Sequence, residues 1–249
     1  MTTTLARTDL EVTRLSNNIG AVIHGVDVRA ADDETIARIR QAWLDHKVIF
    51  LPGQHLTEAE HQAFAARFGE LTEGHPVVPS VEGYPNVFEI DYSKSRELYT
   101  TYGDVATKTQ GIHWHTDVTF VKRPPAGSIL RAVVIPTAGG DTLFSNQQAA
   151  FEALSPSLQD YISTLHAVHD GSAQFRSVLD KVGEGKWEGA ELPVLEPVVH
   201  PVVRTHPETG AKVLFVNPGF TSHIVELDRP ESDALLGFLY ANSGRTECA

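Results

Sequence analysis

The sequence predicts a mostly β domain with helices, a jelly-roll-type core carrying flanking α-helical additions. Two observations carry this. Short runs of β-branched and aromatic residues recur along the chain, punctuated by Gly, Pro and Asp turns. Helical stripes are few and separated, and no internal repeat, low-complexity tract or linker divides the 249 residues. Residues 1–249 are accordingly read as one domain, long enough to bury a substantial core.

The elements follow in order. Leu10 to Val28 mixes β-branched residues with Gly20 and Gly25 and reads as short strands with turns. Asp32 or Asp33 caps a helix with Ile36, Ile39, Trp43 and Leu44 on one stripe. Val48 to Leu51 is a short buried strand stopped by Pro52-Gly53. Thr57 and Glu60 form a capping-box pattern before a second helix with Phe64 and Phe68 inside, ended by Gly69. Strands are expected at Asn86–Ile90, Trp114–Phe120 and Ser128–Ile135, and again after the Gly139-Gly140 turn at Asp141–Phe144. Helices follow near Gln147–Leu154 and Ser157–Leu165. Val198–Arg204 and Lys212–Val216 form a hairpin around His206–Gly210, and Pro230–Tyr240 is a helix with Pro at its start. The polar stretch 91–112 and the Gly-rich stretch 171–191 are too long for plain connections and read as lids.

Bulk chemistry narrows the function. The formal net charge of −12 repels phosphate backbones, and no basic patch offsets it, so nucleic acid is not an expected partner. No run approaches the roughly 20 apolar residues of a membrane span, and the N-terminus lacks the apolar stretch of a secretory signal. The single cysteine, Cys248, excludes an intrachain disulfide and fits a reducing compartment, giving a cytoplasmic expectation. It also excludes a multi-thiolate metal site. Any metal must be held by nitrogen and oxygen donors, for which twelve histidines are available.

The densest chemical feature is His113-Trp114-His115-Thr116-Asp117. On a strand its three polar side chains share one face. The outer two α-carbons would stand ~13 Å apart at ~3.3 Å per residue, too far for one ion to bind both. One adjacent pair can share an ion, and spacing does not choose between His113/His115 and His115/Asp117. With a distant histidine, His115/Asp117 becomes a two-His, one-carboxylate iron(II) triad with three open positions. The bland reading is three polar residues on a strand; two His and one Asp on one face weigh against it. A rival is the His-x-His-x-Asp-His pattern of metallo-β-lactamase-like zinc hydrolases. Here Val118 stands where its last His belongs, and continued β structure through Phe120 disfavours the loop that pattern needs.

Several blocks, in order, resemble the taurine dioxygenase family. They are Trp114–Phe120, Pro124–Gly127, Gly139–Leu143, His200–Gly210 with Leu214–Asn217, and, near the start, Ile19–Val26 and His46–Gln54. The resemblance implies a double-stranded β-helix fold, iron(II), and 2-oxoglutarate as co-substrate with O2. It implies that His115 and Asp117 bind iron, that the Thr142 hydroxyl contacts the co-substrate carboxylate, that His75 helps bind an anionic substrate head, and that Phe220 forms an aromatic wall of the substrate pocket. By residue type alone, Thr142 would be a turn residue and Phe220 a core aromatic. Similar proteins are dimers or tetramers, so a homo-oligomer is expected.

The sequence departs from the family pattern in two places. Val78, Gly111 and Gly171 stand where taurine-type enzymes carry Tyr, Asn and Phe. Smaller, less polar replacements imply a wider pocket, suited to an alkyl sulfate, an alkyl sulfonate or another anion. The family's C-terminal strands, with the second iron His and the Arg that pairs with 2-oxoglutarate, have no counterpart up to Ala249, and both residues are expected beyond it. The alternative functional class is a catalytically impaired scaffold or binding protein of the same fold.

Overall fold

The computed structural model describes residues 10–72, 74, 80–91, 114–139, 141–172, 196–245 and 248. They divide into two compact units. The chain is β-rich with a few helices, and its strands form small sheets.

The first unit takes residues 1–71 and 129–146. Strand β1 (Glu11–Arg14) pairs antiparallel with β2 (Ala21–His24), and β2 pairs parallel with β3 (Ile49–Phe50). Helix α1 (Asp33–His46) is capped by Asp32, whose carboxylate accepts from the Thr35 amide at 2.8 Å. Its stripe Ile36, Ile39 and Ala42 packs with Ile23, Val28 and Phe64. Helix α2 (Glu58–Ala66) carries the expected capping box: Thr57 N donates to Glu60 Oε2 at 2.8 Å, and Glu60 N donates to Thr57 Oγ1 at 3.3 Å.

Two expectations fail in this unit. The strand at 48–51 is only two residues long and lies at a sheet edge, with Phe50 43% exposed rather than buried. No strand forms over 129–135 or 141–144. Leu130, Val133, Val134 and Ile135 are all exposed, so the β-branched run has propensity but no paired neighbour in the described structure.

The second unit takes residues 72–128 and 147–248. Strands β4 (Ser80–Val81) and β5 (Tyr84–Phe88) form a hairpin. Helices α3 (Gln147–Glu152) and α4 (Pro156–Ile162) follow, the latter with Pro156 at its start. A three-stranded antiparallel sheet has β6 (His166–His169) at its centre, flanked by β7 (Val198–Pro201) and β10 (Thr221–Ile224). The predicted hairpin is present as β8 (Val203–Thr205) and β9 (Lys212–Leu214). Helix α5 (Arg229–Ser243) extends beyond the predicted helix at both ends. The core joins Ala150, Phe151, Ile162, Ala167, Val202, Leu214, Ile224, Leu236 and Leu239.

The predicted strand at 114–120 is a turn over residues 117–120. Val118 adopts φ +58°, a left-handed conformation that breaks an extended chain. Burial of Thr119 and Phe120 overrides the β propensity of the segment.

Candidate metal site

His115 and Asp117 stand side by side where this turn begins: His115 Nε2 lies 3.4 Å from Asp117 Oδ1. Both side chains are well exposed, 51% and 69% respectively. Two donors occupying adjacent positions on one ion at ~2.1 Å each stand ~3 Å apart, so a small closure lets both bind it. The donor set, an imidazole nitrogen and a carboxylate oxygen, suits iron(II). Among the described residues, no three His, Cys, Asp or Glu side chains form a metal-binding group. His113, and with it the alternative His113/His115 pairing, lies outside the described residues, as does His75. So do Val78, Gly111 and nearly all of both expected lids.

Phe220 is buried, at 6% exposure, and packs on Phe120 with ring centroids 4.9 Å apart. The aromatic expected at the substrate wall thus also braces the turn that carries the candidate ligands. Thr142 belongs to the first unit and is exposed on an irregular segment. Gly171 stands against Phe120: a Cβ placed on it would meet three ring carbons at 2.8–2.9 Å.

The ligand turn is rooted in a buried polar cluster that reading by motif missed. Thr119 is 1% exposed, and its Oγ1 lies 3.0 Å from His169 Nδ1 and 3.2 Å from the Asn217 amide nitrogen. Asn217 is oriented by its other end, where Oδ1 accepts from the Phe220 amide at 2.9 Å. His200 Nε2 lies 3.0 Å from the Val121 carbonyl. The rings of His169, His200 and Phe215 pack edge-on or tilted, and the Arg204 guanidinium lies over Phe215 at 4.4 Å.

Burial disfavours a charged imidazole here. It pulls His169 from the ordinary 6.5 to about 4, with the charges of His200 and Arg204 adding to the effect and the Phe215 backbone opposing it. His200 is lowered by burial and by Arg204, against the Val121 carbonyl. Strand alternation on β6, which turns Ala167 and His169 inward, is the sequence signal that could have found His169. Val118 at positive φ costs roughly 1–3 kcal/mol, a strain that persists only where the surroundings fix it.

Residues 11–248 match the family described as taurine catabolism dioxygenase TauD, TfdA family. An alpha-ketoglutarate-dependent sulfate ester dioxygenase of Pseudomonas putida is 33% identical over 244 residues, covering 96% of this chain and 76% of that protein. An alpha-ketoglutarate-dependent sulfonate dioxygenase of Saccharomyces cerevisiae is 33% identical over 241 residues, covering 93% of this chain and 55% of that one. The chain spans little more than half the length of its two yeast relatives, 56% for Schizosaccharomyces pombe and 55% for Saccharomyces cerevisiae. The crystal structure of a taurine dioxygenase from Burkholderia xenovorans superposes with a TM-score of 0.76 at 38% identity, covering 96% of this chain and 74% of that one. Since residues 114–120 form no strand and turn at 117–120, β structure gives no ground against a metallo-β-lactamase-like site; the match along nearly the whole chain does. A collinear match over residues 11–248 and the likeness to a solved taurine dioxygenase place this chain in the taurine catabolism dioxygenase TauD, TfdA family.

Proposed function

We propose that the chain forms an iron(II)- and 2-oxoglutarate-dependent dioxygenase that hydroxylates a small organic anion, an alkyl sulfate or sulfonate. The carrying observation is the His115/Asp117 pair, held at 3.4 Å within a family match that runs from residue 11 to 248. His115 and Asp117 would hold iron(II). When bound, iron(II) with 2-oxoglutarate and O2 supplies the oxidation, one oxygen atom entering succinate as CO2 leaves and the other entering a substrate C–H bond. Thr142 would contact the 2-oxoglutarate carboxylate, His75 the substrate's anionic head, and Phe220 its carbon chain. A double-stranded β-helix, a single domain, a homo-oligomer of two or four chains and a cytoplasmic location complete the reading. Among the described residues, no helix is long and apolar enough to cross a membrane.

One observation supports a sulfate ester over taurine: the Pseudomonas putida relative is named for sulfate esters. At Gly171 the Phe120 ring fills the space beside the missing side chain, so this position does not widen the pocket as the sequence implied.

Anaerobic titration with iron(II) and 2-oxoglutarate, followed by succinate release with a panel of alkyl sulfates, alkyl sulfonates and taurine, tests the proposal. A visible charge-transfer band, lost in His115→Ala and Asp117→Ala, is expected, as is turnover favouring the alkyl sulfates. No band at saturating iron would favour a catalytically impaired scaffold. Clear preference for taurine would overturn the substrate assignment alone.

A further inference from the structure

We infer that Thr119, His169 and Asn217 form a buried hydrogen-bonded relay that positions the metal-binding turn, with His169 and Thr119 as positioning residues. The inference rests on the reading of His115 and Asp117 as metal ligands.

The ligand side chains are exposed, but the backbone that carries them is anchored immediately afterwards. Thr119, two residues past Asp117, is 1% exposed, and Phe120 is 2% exposed. Separate elements grip this root. His169 on β6 meets the Thr119 hydroxyl, the Asn217 side chain meets the same oxygen, Phe220 packs on Phe120, and His200 on β7 meets the Val121 carbonyl. Between the ligand and the anchor stands Val118, in a left-handed conformation that a β-branched residue rarely takes. It directs the chain leaving Asp117 into the buried anchor, so the anchor fixes where the Asp117 backbone stands. Releasing the anchor lets Val118 relax toward extended backbone and removes that fixed point from the Asp117 end of the pair.

The orientation of Asn217 in the relay follows from its geometry. The Asn217 carbonyl oxygen accepts from the Phe220 amide, so its NH2 group faces Thr119. Thr119 Oγ1 accepts that N–H and hydrogen-bonds His169 Nδ1 at 3.0 Å. These contacts require a hydroxyl at position 119: a methyl of equal size leaves both a buried amide donor and a buried imidazole nitrogen without this partner.

Anaerobic titration with Co(II), read by its visible ligand-field absorption, compares wild type with Thr119→Val and Thr119→Ser. Thr119→Val is expected to weaken Co(II) binding at least tenfold and alter the spectrum, whereas Thr119→Ser restores binding to within threefold of wild type. Equal affinity in wild type and Thr119→Val, or Thr119→Ser as weak as Thr119→Val, overturns the inference. If wild type itself binds no Co(II), the metal-site reading falls, and the inference with it. Should Thr119→Val not fold, imidazole nitrogen spectra of the wild-type chain titrated with Zn(II) serve instead. His169 is expected to shift in step with His115. An unmoved His169 at saturation of His115 overturns the inference.

Discussion

Gly244, at the C-terminal end of α5, approaches Trp114 so closely that a Cβ placed on it would stand 2.6 Å from the indole Nε1 and 3.1 Å from Cδ1. Trp114 directly precedes His115, so the end of the last helix packs against the residue that leads into the ligand turn. The contact explains why helix α5 ends on glycine even though its φ of −91° is open to any residue. Gly244→Ala must displace the indole or the helix end. A loss of about 1–3 kcal/mol in urea unfolding is expected, with a shift in Trp114 emission, as overpacking in a filled site produces. Unchanged stability and emission would show that the indole moves freely.

The same kind of test applies to Gly171. Its missing side chain is filled by the Phe120 ring, which also packs on Phe220. Gly171→Ala is expected to lower the thermal midpoint, and Gly171→Phe to lower it further. Crystal structures of the variants should show Phe120 displaced from Phe220; an unmoved Phe120 would contradict this packing.

Stability should depend on pH through the buried histidines. His169 falls from 6.5 to about 4 on folding, and His200 is lowered in the same direction. In this window the unfolded chain binds more protons than the folded one. Stability is therefore expected to be full above about pH 6.5 and to fall as pH drops toward 4. The His169 share is on the order of 3 kcal/mol. Urea melts at several pH values check this, and His169→Gln should flatten the slope between pH 6.5 and 4.

In the first unit, the Thr57–Glu60 capping box fixes the start of α2. Thr57→Ala removes the side-chain acceptor for the Glu60 amide and should cost about 1 kcal/mol. Hydrogen exchange should rise in the first turn of α2 while that of α5 stays constant; a uniform rise across both would point to global rather than local loosening.

The sequence by itself determined the elements whose signals are local. The start of α1 at Asp32 or Asp33 (the structure chooses Asp32), the capping box of α2, Pro156 at the start of α4 and the hairpin around His206–Gly210 stand where short-range hydrogen bonding and fixed dihedrals put them. The order of motif blocks also carried the family, because that order survives in the chain whatever its shape. Only tertiary structure decided the rest. Residues 128–135 have the composition of a strand, yet strands require a partner, and local propensity does not supply one. Residues 114–120 likewise read as a strand, but burial of Thr119 and Phe120 against His169, Asn217 and Phe220 outweighs the extended preference of Val118. Sequence could name His115 and Asp117 as a pair; only the tertiary structure sets their atoms 3.4 Å apart and buries the turn that follows, because contacts distant in sequence hold Thr119 and Phe120 there.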